Sequence, residues 1–269
     1  MMLTVLITGA TSGIGEEFAH YYGNRGDTIH LLGRNNEKLL ELKAQYESVA
    51  EVFLWNVDLS KEDQLNHFLN QVRHTTFDVV INNAGFGDLD EFIKSDLNHI
   101  EAMLATNITA LTKIAHVVLN TMANQRRGYL LNVASLAGYF SGPYMATYYA
   151  TKNYVLALSQ ALTIEMQPYN VTVSALCPGP TPTKFGLNAS FPKMGSLKTL
   201  ARTSVKEVVD SALVNMAKGK AIIVPGLVNN FAVLLSKITP RMLSTKVTGM
   251  YQKQAMVKRE IKEEEIYGN

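Results

Sequence analysis

Residues 8–15 have the sequence Thr-Gly-Ala-Thr-Ser-Gly-Ile-Gly, and they separate two stretches of different pattern. Leu3 to Thr8 is a short apolar run rich in Val, Ile and Thr, which predicts a strand, and Ile14 to Tyr22 has the spacing of a helix. Glycines at such a junction let the chain turn sharply, let backbone N–H groups approach a phosphate, and bring the positive end of the helix dipole to the anion. The candidate phosphate-binding residues are Gly9, Thr11, Ser12, Gly13, Ile14 and Gly15.

The residues at the end of the second predicted strand indicate which nucleotide this turn would bind. The glycine spacing departs from G-x-G-x-x-G, so an ordinary strand–helix turn stays open on this feature alone. The strand ends in Leu-Leu-Gly-Arg-Asn, where an NAD-selective unit usually carries an acid for the ribose 2′-hydroxyl. Arg34, followed by Asn35, instead offers a charge-assisted fork for a 2′-phosphate. We therefore expect NADP(H) rather than NAD(H), the alternative being that Arg34 is a solvated surface arginine.

Strands and helices alternate along the first 180 residues. Further strands are predicted at Thr28 to Leu32, Val52 to Trp55, Asp78 to Ile81, Tyr129 to Val133 and Val171 to Leu176, and helices at Glu37 to Glu47, Asp96 to Asn124 and Thr147 to Met166. Ser60, three residues before Asp63, predicts an N-cap. This alternation favours right-handed crossovers and a mainly parallel α/β sheet that is doubly wound, with helices on both faces.

Polar and small residues follow the third and fourth strands. Asp58 and Leu59 come just after the third strand, and Asn83, Ala84 and Gly85 end the fourth. Ligands bind at the carboxyl ends of parallel strands, so these residues are candidates for contact with an adenosine. The alternative is that both segments are plain turns.

The C-terminal part of the chain is less regular. Residues 178–203 are too long for an ordinary connection and are interpreted as either functional or disordered. Ser204 and Glu207 predict the cap of a helix that ends at Ala217, and Ala221 to Val224 predicts a last strand. We expect residues 1–225 to form a nucleotide-binding catalytic domain and residues 226–269 to form a helical extension, broken at Pro240. Packing on the same domain, a subunit interface and a membrane surface remain open roles for that extension.

Composition excludes several classes of protein. With 47% hydrophobic and 18% charged residues the chain is not intrinsically disordered, and the lone Cys177 excludes a disulfide framework. A net charge of +2 gives no footprint for nucleic acid, and the six histidines form no metal-binding pattern, so we expect no metal. The first strand follows Met1 directly and we expect no apolar run as long as a membrane span, so the prediction is a cytoplasmic protein without a leader.

Four polar residues form a candidate proton-transfer group. Tyr148 and Lys152 are four apart on one helical face, Ser135 ends the fifth strand, and Asn107 lies within a predicted helix. Tyrosine has a pKa of about 10, which a lysine cation and a positive nicotinamide would lower. Tyr148 would donate a proton to a carbonyl oxygen held by Ser135, and Asn107 would hold a water that links Lys152 to solvent. Each residue taken separately is more often structural.

The order of these motifs resembles the short-chain dehydrogenase/reductase family. The residues that carry the resemblance are Thr-Gly-x-x-x-Gly-Ile-Gly at 8–15, Asn-Asn-Ala-Gly at 82–85, Asn107, Ser135, Tyr148, Lys152 and Pro178-Gly179. It covers residues 3 to about 225 and implies a seven-stranded Rossmann-type fold and NAD(P)-dependent hydride transfer. It also implies that Lys152 binds the nicotinamide ribose, and that the loop residues Pro178, Gly179, Thr181 and Thr183 lie along the cofactor. Gly33-Arg34 resembles the NADP-preferring members, and a homodimer or homotetramer is implied in the same way.

The resulting prediction is an NADP(H)-dependent oxidoreductase that reduces a ketone, aldehyde or oxoacyl group to an alcohol, or catalyses the reverse. A 3-oxoacyl thioester reductase and a non-catalytic NADP(H)-binding sensor or scaffold are the alternatives. Tyr139, Tyr144 and Phe185 are candidate substrate contacts, because aromatic residues near the carbonyl site favour a hydrophobic small-molecule substrate. Ordinary core packing of the same side chains remains open.

Overall fold

The computed structural model describes residues 1–182 and 203–267, with side chains as far as residue 257. Its centre is a parallel sheet in the order β3-β2-β1-β4-β5-β6-β7. The strands are β1 (Thr4–Thr8), β2 (Thr28–Gly33), β3 (Val52–Asn56), β4 (Val79–Asn82), β5 (Tyr129–Val133), β6 (Thr172–Leu176) and β7 (Ile222–Ile223). The predicted doubly wound α/β fold is confirmed, and the strand order reverses between β1 and β4.

Helices cover both faces of this sheet. They are α1 (Gly13–Asn24), α2 (Asn36–Tyr46), α3 (Glu62–Val72), α4 (Leu97–Leu104), α5 (Leu111–Gln125), α6 (Ala146–Glu165), α7 (Val205–Ala217), α8 (Leu227–Ile238) and α9 (Arg241–Tyr267). Successive strand residues point to opposite faces, so Val5 and Ile7 enter one apolar core with α1, α2 and α7. Leu6, between them, enters the other core with α3 and α5. Burial on both faces explains why the inner strands β1 and β4 are mainly apolar.

The predicted helix from Asp96 to Asn124 is interrupted. A π-helical segment, Ala105–Ala110, separates α4 from α5 and contains Asn107. Asn82, at the end of β4, donates a hydrogen bond of 2.9 Å to the Leu111 carbonyl just after this segment. The amide of Asn82 thus ties the end of the wide turn to the sheet. Such π-turns occur often at functional sites.

One expectation about apolar runs is wrong. The helical run Leu97–Gln125 is long and apolar enough, by length and composition alone, to cross a bilayer. Half of its apolar 18-residue window is buried inside the protein, because α5 packs its apolar side chains against one face of the sheet. That burial accounts for its apolar composition.

The two predicted helix caps have different outcomes. Ser204 is confirmed, since its hydroxyl accepts from the Glu207 N–H while the Glu207 carboxylate accepts from the Ser204 N–H. Ser60 does not cap α3, which begins one residue after Lys61. The Ser60 hydroxyl instead donates to the Asp58 carboxylate at 2.8 Å, because that acceptor lies two residues away.

Candidate active site

A cavity of about 1220 Å³ opens at the carboxyl ends of the strands, where the sheet order reverses. This is the position at which open parallel sheets bind ligands. The lining comes from the turn after β1, the ends of β2 to β6, the start of α6 and one face of α9. Sequence elements far apart in the chain therefore meet around one space.

Close backbone packing builds the turn after β1. Gly9 has a φ of +66°, and a Cβ on Gly15 would lie 2.2 Å from the Gly9 carbonyl oxygen, so neither position accepts a side chain without strain. The Asn83 amide donates to the Thr8 carbonyl at 3.0 Å. In return, the Thr8 hydroxyl accepts from the N–H groups of Asn83 and Ala84 at 2.9 Å each. Strand β4 thus holds the turn in place.

The start of α1 offers hydrogen-bond donors to the cavity. Ser12 is the N-cap residue, yet its side chain makes no capping hydrogen bond to the helix. The first N–H groups of a helix have no partner within it, and the helix dipole favours an anion there. Residues 11–14 line the cavity at this point, so the turn fits a phosphate.

Arg34 and Asp58 line the cavity beyond the ends of β2 and β3, which lie across β1 and β4 from the strand that precedes Ser135. The Arg34 guanidinium carbon is 5.8 Å from the centre of the Phe86 ring, and no salt bridge found in residues 1–182 and 203–257 includes it. Burial opposes ionisation of Asp58, but hydrogen bonds from Ser60 and the charge of Arg34 leave its pKa below the ordinary value. Asn35 lines the cavity and also caps α2 through the Lys38 N–H. The guanidinium is thus available to an anionic ligand.

Ser135, Tyr148 and Lys152 converge on the other side of the cavity. The Ser135 oxygen accepts from the Ala137 N–H at 3.1 Å, and the Ser135 hydroxyl hydrogen-bonds that of Tyr148. The Lys152 ammonium donates to the Val133 carbonyl at 2.8 Å and lies 5.8 Å from the centre of the Tyr148 ring. One turn of α6 therefore presents the phenol and the cation side by side.

Burial dominates the ionisation of this pair. It raises the pKa of Tyr148 above the ordinary value, although the Ser135 hydrogen bond acts in the other direction. It lowers the pKa of Lys152 to about 8. The expected depression of the Tyr148 pKa is therefore not seen in the protein alone, because the effect of burial is larger than that of the Ser135 hydrogen bond. A neutral phenol is the protonation state from which a proton can be donated.

Asn107 is bound more tightly than the sequence indicates. Its amide nitrogen donates to the Phe86 carbonyl at 2.8 Å and to the Thr151 hydroxyl at 3.1 Å, and its oxygen accepts from the Phe86 N–H at 3.1 Å. Both amide protons are thus used to hold the segment after β4 against α6. The same oxygen and the Lys152 ammonium both approach Gly85.

Cys177 is fully buried between the cavity wall and α6. Burial raises the pKa of its thiol to about 12, against the opposing effects of Tyr139, Ser135 and Lys152. A thiol in that state is a poor nucleophile. This agrees with the interpretation of Cys177 as a structural residue.

Most of the described site residues that the sequence predicts share one cavity, and four of them do not line it. Those that line it are Gly9, Thr11, Ser12, Gly13, Ile14, Arg34, Asn35, Asp58, Leu59, Asn83, Ala84, Gly85, Ser135, Tyr148, Lys152, Pro178, Gly179 and Thr181. Gly15 and Asn107 lie behind the wall and support it. Tyr139 packs beside Cys177, and Tyr144 packs with α9 and borders a separate shallow depression. Thr183 and Phe185 lie outside the described residues.

Sequence reasoning predicted aromatic residues beside the carbonyl site, but it did not identify Phe86 or Tyr149 there, and it missed the contribution of α9. Phe86, Phe140 and Tyr149 line the cavity in place of Tyr139 and Tyr144. The α9 residues that join them are Val247, Thr248, Tyr251 and Gln252. Counted from Val247, the other three follow after one, four and five residues, so all four lie on one helical face. This spacing is the feature of the sequence from which their common position could have been predicted. Gln252 is 2% exposed and donates to the Tyr149 hydroxyl at 3.0 Å, and within residues 1–182 and 203–257 its amide oxygen has no hydrogen-bond partner.

Comparison with known proteins assigns the family. The model of the short chain dehydrogenase family matches residues 3–193, most of the chain. The chain belongs to the short-chain dehydrogenase family. This confirms the resemblance, and with it an oxidoreductase of Rossmann-type fold.

Relatives of this short-chain dehydrogenase include both sequences and solved structures. "Dehydrogenase/reductase SDR family member 7B" of Xenopus tropicalis is 27% identical over 270 residues, which cover 94% of this chain and 87% of the frog protein. A short-chain dehydrogenase from Sphingobium yanoikuyae, solved in complex with NADPH, is 29% identical with a TM-score of 0.76, covering 89% of this chain and 97% of that one. The bulky-bulky ketone specific alcohol dehydrogenase from Comamonas testosteroni is 26% identical with a TM-score of 0.75, covering 89% and 96%.

The buried Lys152 gives this dehydrogenase a pH-dependent stability. Its pKa of about 8 in the folded chain is below the unfolded value, so the unfolded chain binds more protons between these pKa values. Relative to Lys152→Met, the free energy of unfolding of the wild type should rise by about 2–3 kcal/mol between pH 7 and pH 10. Urea unfolding of the ligand-free proteins at several pH values measures this difference.

Lys220→Met replaces an exposed lysine and is the control, because it removes the same charge without removing a buried cation. Titratable groups that the wild type, Lys152→Met and Lys220→Met have in common cancel when their free energies of unfolding are subtracted. A wild-type minus Lys152→Met difference that stays constant over this range, or falls, would contradict the burial of a lysine cation.

Proposed function

We propose that the protein is an NADPH-dependent carbonyl reductase, which runs as an alcohol dehydrogenase in reverse. The observation that carries the proposal is the meeting of two groups of residues in one cavity. A glycine turn at a helix N-terminus, with Arg34 nearby, lies at one end, and the hydrogen-bonded Ser135–Tyr148 pair with Lys152 lies at the other. The NADPH complex of the Sphingobium yanoikuyae relative supports the same choice of cofactor.

The residues along the cavity fit a nicotinamide dinucleotide. The first N–H groups of α1 would meet the pyrophosphate, Arg34 would meet the 2′-phosphate, and Asp58 would lie by the adenine. Pro178, Gly179 and Thr181 follow β6 on the catalytic side and would line the nicotinamide. When bound, the cofactor supplies the hydride that reduces the carbonyl carbon.

The chain's own residues supply the proton. Tyr148, neutral because of its burial, would donate its phenolic proton to the carbonyl oxygen. Ser135 would donate a hydrogen bond from its hydroxyl to that carbonyl oxygen. The Ser135 oxygen already accepts from the Ala137 N–H, so the hydroxyl proton remains available for this bond. Lys152 would stabilise the resulting phenolate, and Asn107 would complete the route for a proton from solvent.

The substrate we infer is a largely apolar ketone or aldehyde with a hydrogen-bond donor away from the carbonyl. Phe86, Phe140 and Tyr149 form an aromatic wall beside the catalytic residues, and Val247 adds an aliphatic surface. The buried amide oxygen of Gln252, which has no hydrogen-bond partner among the described residues, would accept from such a donor, because leaving it unpaired is costly. Lining of the cavity by α9 also supports residues 1–225 as the catalytic domain and residues 226–269 as an extension packed on it.

Replacing Tyr148 by Phe should lower NADPH-dependent turnover at least about a hundredfold, because the general acid is lost. Loss of nicotinamide absorbance is followed over a panel of aliphatic, aromatic, steroid and acyl-thioester carbonyls. NADPH affinity, measured by fluorescence titration, should change little. Tyr154→Phe, on the same helix with its hydroxyl bonded to Thr112, is the matched control and should keep its turnover.

Equal turnover by Tyr148→Phe and the wild type would contradict the mechanism. Tight NADPH binding without turnover of any carbonyl would favour the sensor or scaffold alternative. A marked preference for long acyl thioesters over free ketones would instead identify a 3-oxoacyl thioester reductase. Light scattering on the same samples would test the predicted homodimer or homotetramer.

Replacing Arg34 by Ala should weaken NADPH binding by at least about tenfold while NADH binding changes little, since only NADPH carries the 2′-phosphate. Competitive titration of both cofactors measures the two losses. Arg25→Ala is the control for loss of an arginine elsewhere, because Arg25 pairs with Asp27 outside the cavity. Equal losses of NADPH and NADH affinity in Arg34→Ala would remove the assignment.

A further inference from the structure

Helix α8 turns its apolar side chains outward. Leu227, Phe231, Leu234 and Ile238 recur at intervals of three and four residues and therefore form one stripe, in which Phe231 is 66% and Ile238 is 76% exposed. The polar Asn229 on the opposite side is 2% exposed and bonds the Pro225 carbonyl at 2.7 Å. A surface helix of a globular protein normally has the reverse arrangement. The stripe is therefore suited to contact with another apolar medium.

Helix α9 continues the outward apolar surface. Its inner side packs on the domain through Gln252, Ala255 and Met256, whereas Met242 and Met250 are more than two-thirds exposed. The two helices are joined at Thr239-Pro240, so the exposed sides belong to one continuous segment. We call the exposed sides of α8 and α9 the tail face.

As far as Arg259 the charges of this segment have a single sign, and carboxylates occur only at the end of α9, at Glu260 and Glu263 to Glu265. Residues 227–259 contain six of the chain's 25 Lys and Arg residues and none of its 23 Asp and Glu residues. The rest of the chain has 19 cations against 23 carboxylates and is therefore net negative. Lys246 and Lys253 stand among the apolar residues of the tail face and border a shallow depression beside Met250. Apolar side chains interspersed with cations are the composition of helices that lie in a membrane interface.

We propose that the tail face binds the surface of an anionic lipid bilayer, with α8 and α9 lying in the interface and not crossing it. Apolar side chains would enter the acyl boundary, and the cations would meet lipid phosphates and carboxylates. A second copy of the same face fits less well. A two-fold interface pairs a surface with itself, and residues 227–257, whose side chains the structure describes, have no carboxylate to offset the cations brought together.

This orientation has a consequence for the cavity. Val247 belongs to the tail face, being 60% exposed, and also lines the large cavity. The cavity would then open next to the lipid surface. The binding itself does not depend on the proposed reductase chemistry.

Flotation of the full-length protein with lipid vesicles tests the proposal. One set of vesicles contains phosphatidylcholine alone, and the other contains about a quarter phosphatidylglycerol. The protein should float with the anionic vesicles and much less with the neutral ones, and added salt should reduce the bound fraction. The readout is vesicle binding, so loss of reductase activity and loss of membrane binding are distinguishable.

Two double variants locate the binding surface. Phe231→Ser with Ile238→Ser, and Lys246→Gln with Lys253→Gln, should each weaken partitioning about tenfold or more, because apolar area and surface charge both contribute. The matched controls should bind as the wild type does. They are Leu40→Ser with Val214→Ser, exposed apolar residues of α2 and α7, and Lys218→Gln with Lys220→Gln, exposed cations after α7. Circular dichroism checks that each variant is folded.

Three results would overturn the proposal. The first is absence of flotation with anionic vesicles, and the second is unchanged flotation of both tail-face variants. The third is an oligomer in light scattering that Phe231→Ser with Ile238→Ser dissociates, combined with no vesicle binding. That last result would assign the tail face to a second copy of the chain.

Discussion

The close approach of the β1 turn to the end of β4 is the constraint on which the site depends. Gly9 and Gly15 allow the turn and the first helix to touch, and Asn83 bonds the Thr8 carbonyl across the gap between the strands. Because the sheet order reverses there, the turn faces a crevice rather than a neighbouring crossover. The half of the cavity proposed to hold the nucleotide is therefore built mainly from backbone, and the half proposed to hold the reacting carbonyl is built from side chains after β5 and on α6.

The sequence predicts best those parts of the site whose geometry is set by residues close together in the chain. The strand–turn–helix at 8–15, the ends of β2 to β4, and Tyr148 with Lys152 on one helical face all follow from short-range geometry. The aromatic wall proposed to contact the substrate does not follow from short-range geometry. Tyr144 has a φ of +65° and turns toward α9, while Phe140 and Tyr149 take the places facing the cavity. Loop side-chain directions and the docking of α9 depend on long-range packing, which no short motif encodes.

Burial and charge act against each other at the catalytic end. The same enclosure that keeps Tyr148 protonated also makes the Lys152 cation costly to hold, and the hydrogen bond to the Val133 carbonyl offsets only part of that cost. Asn107, in the π-helical segment, fixes the segment after β4 against α6. Holding a buried phenol beside a buried cation therefore lowers stability, and such perturbed groups are common where protons are transferred.

The most direct test of the account follows the hydrogen itself. NADPH carrying deuterium at C4, prepared separately with the label on each face, is supplied with the best carbonyl substrate, and the alcohol is analysed by mass spectrometry. The account predicts that deuterium from one of the two labelled cofactors appears on the alcohol carbon and that the other gives unlabelled product. An unlabelled alcohol from both cofactors, or tight binding of NADPH with no alcohol formed, would contradict it.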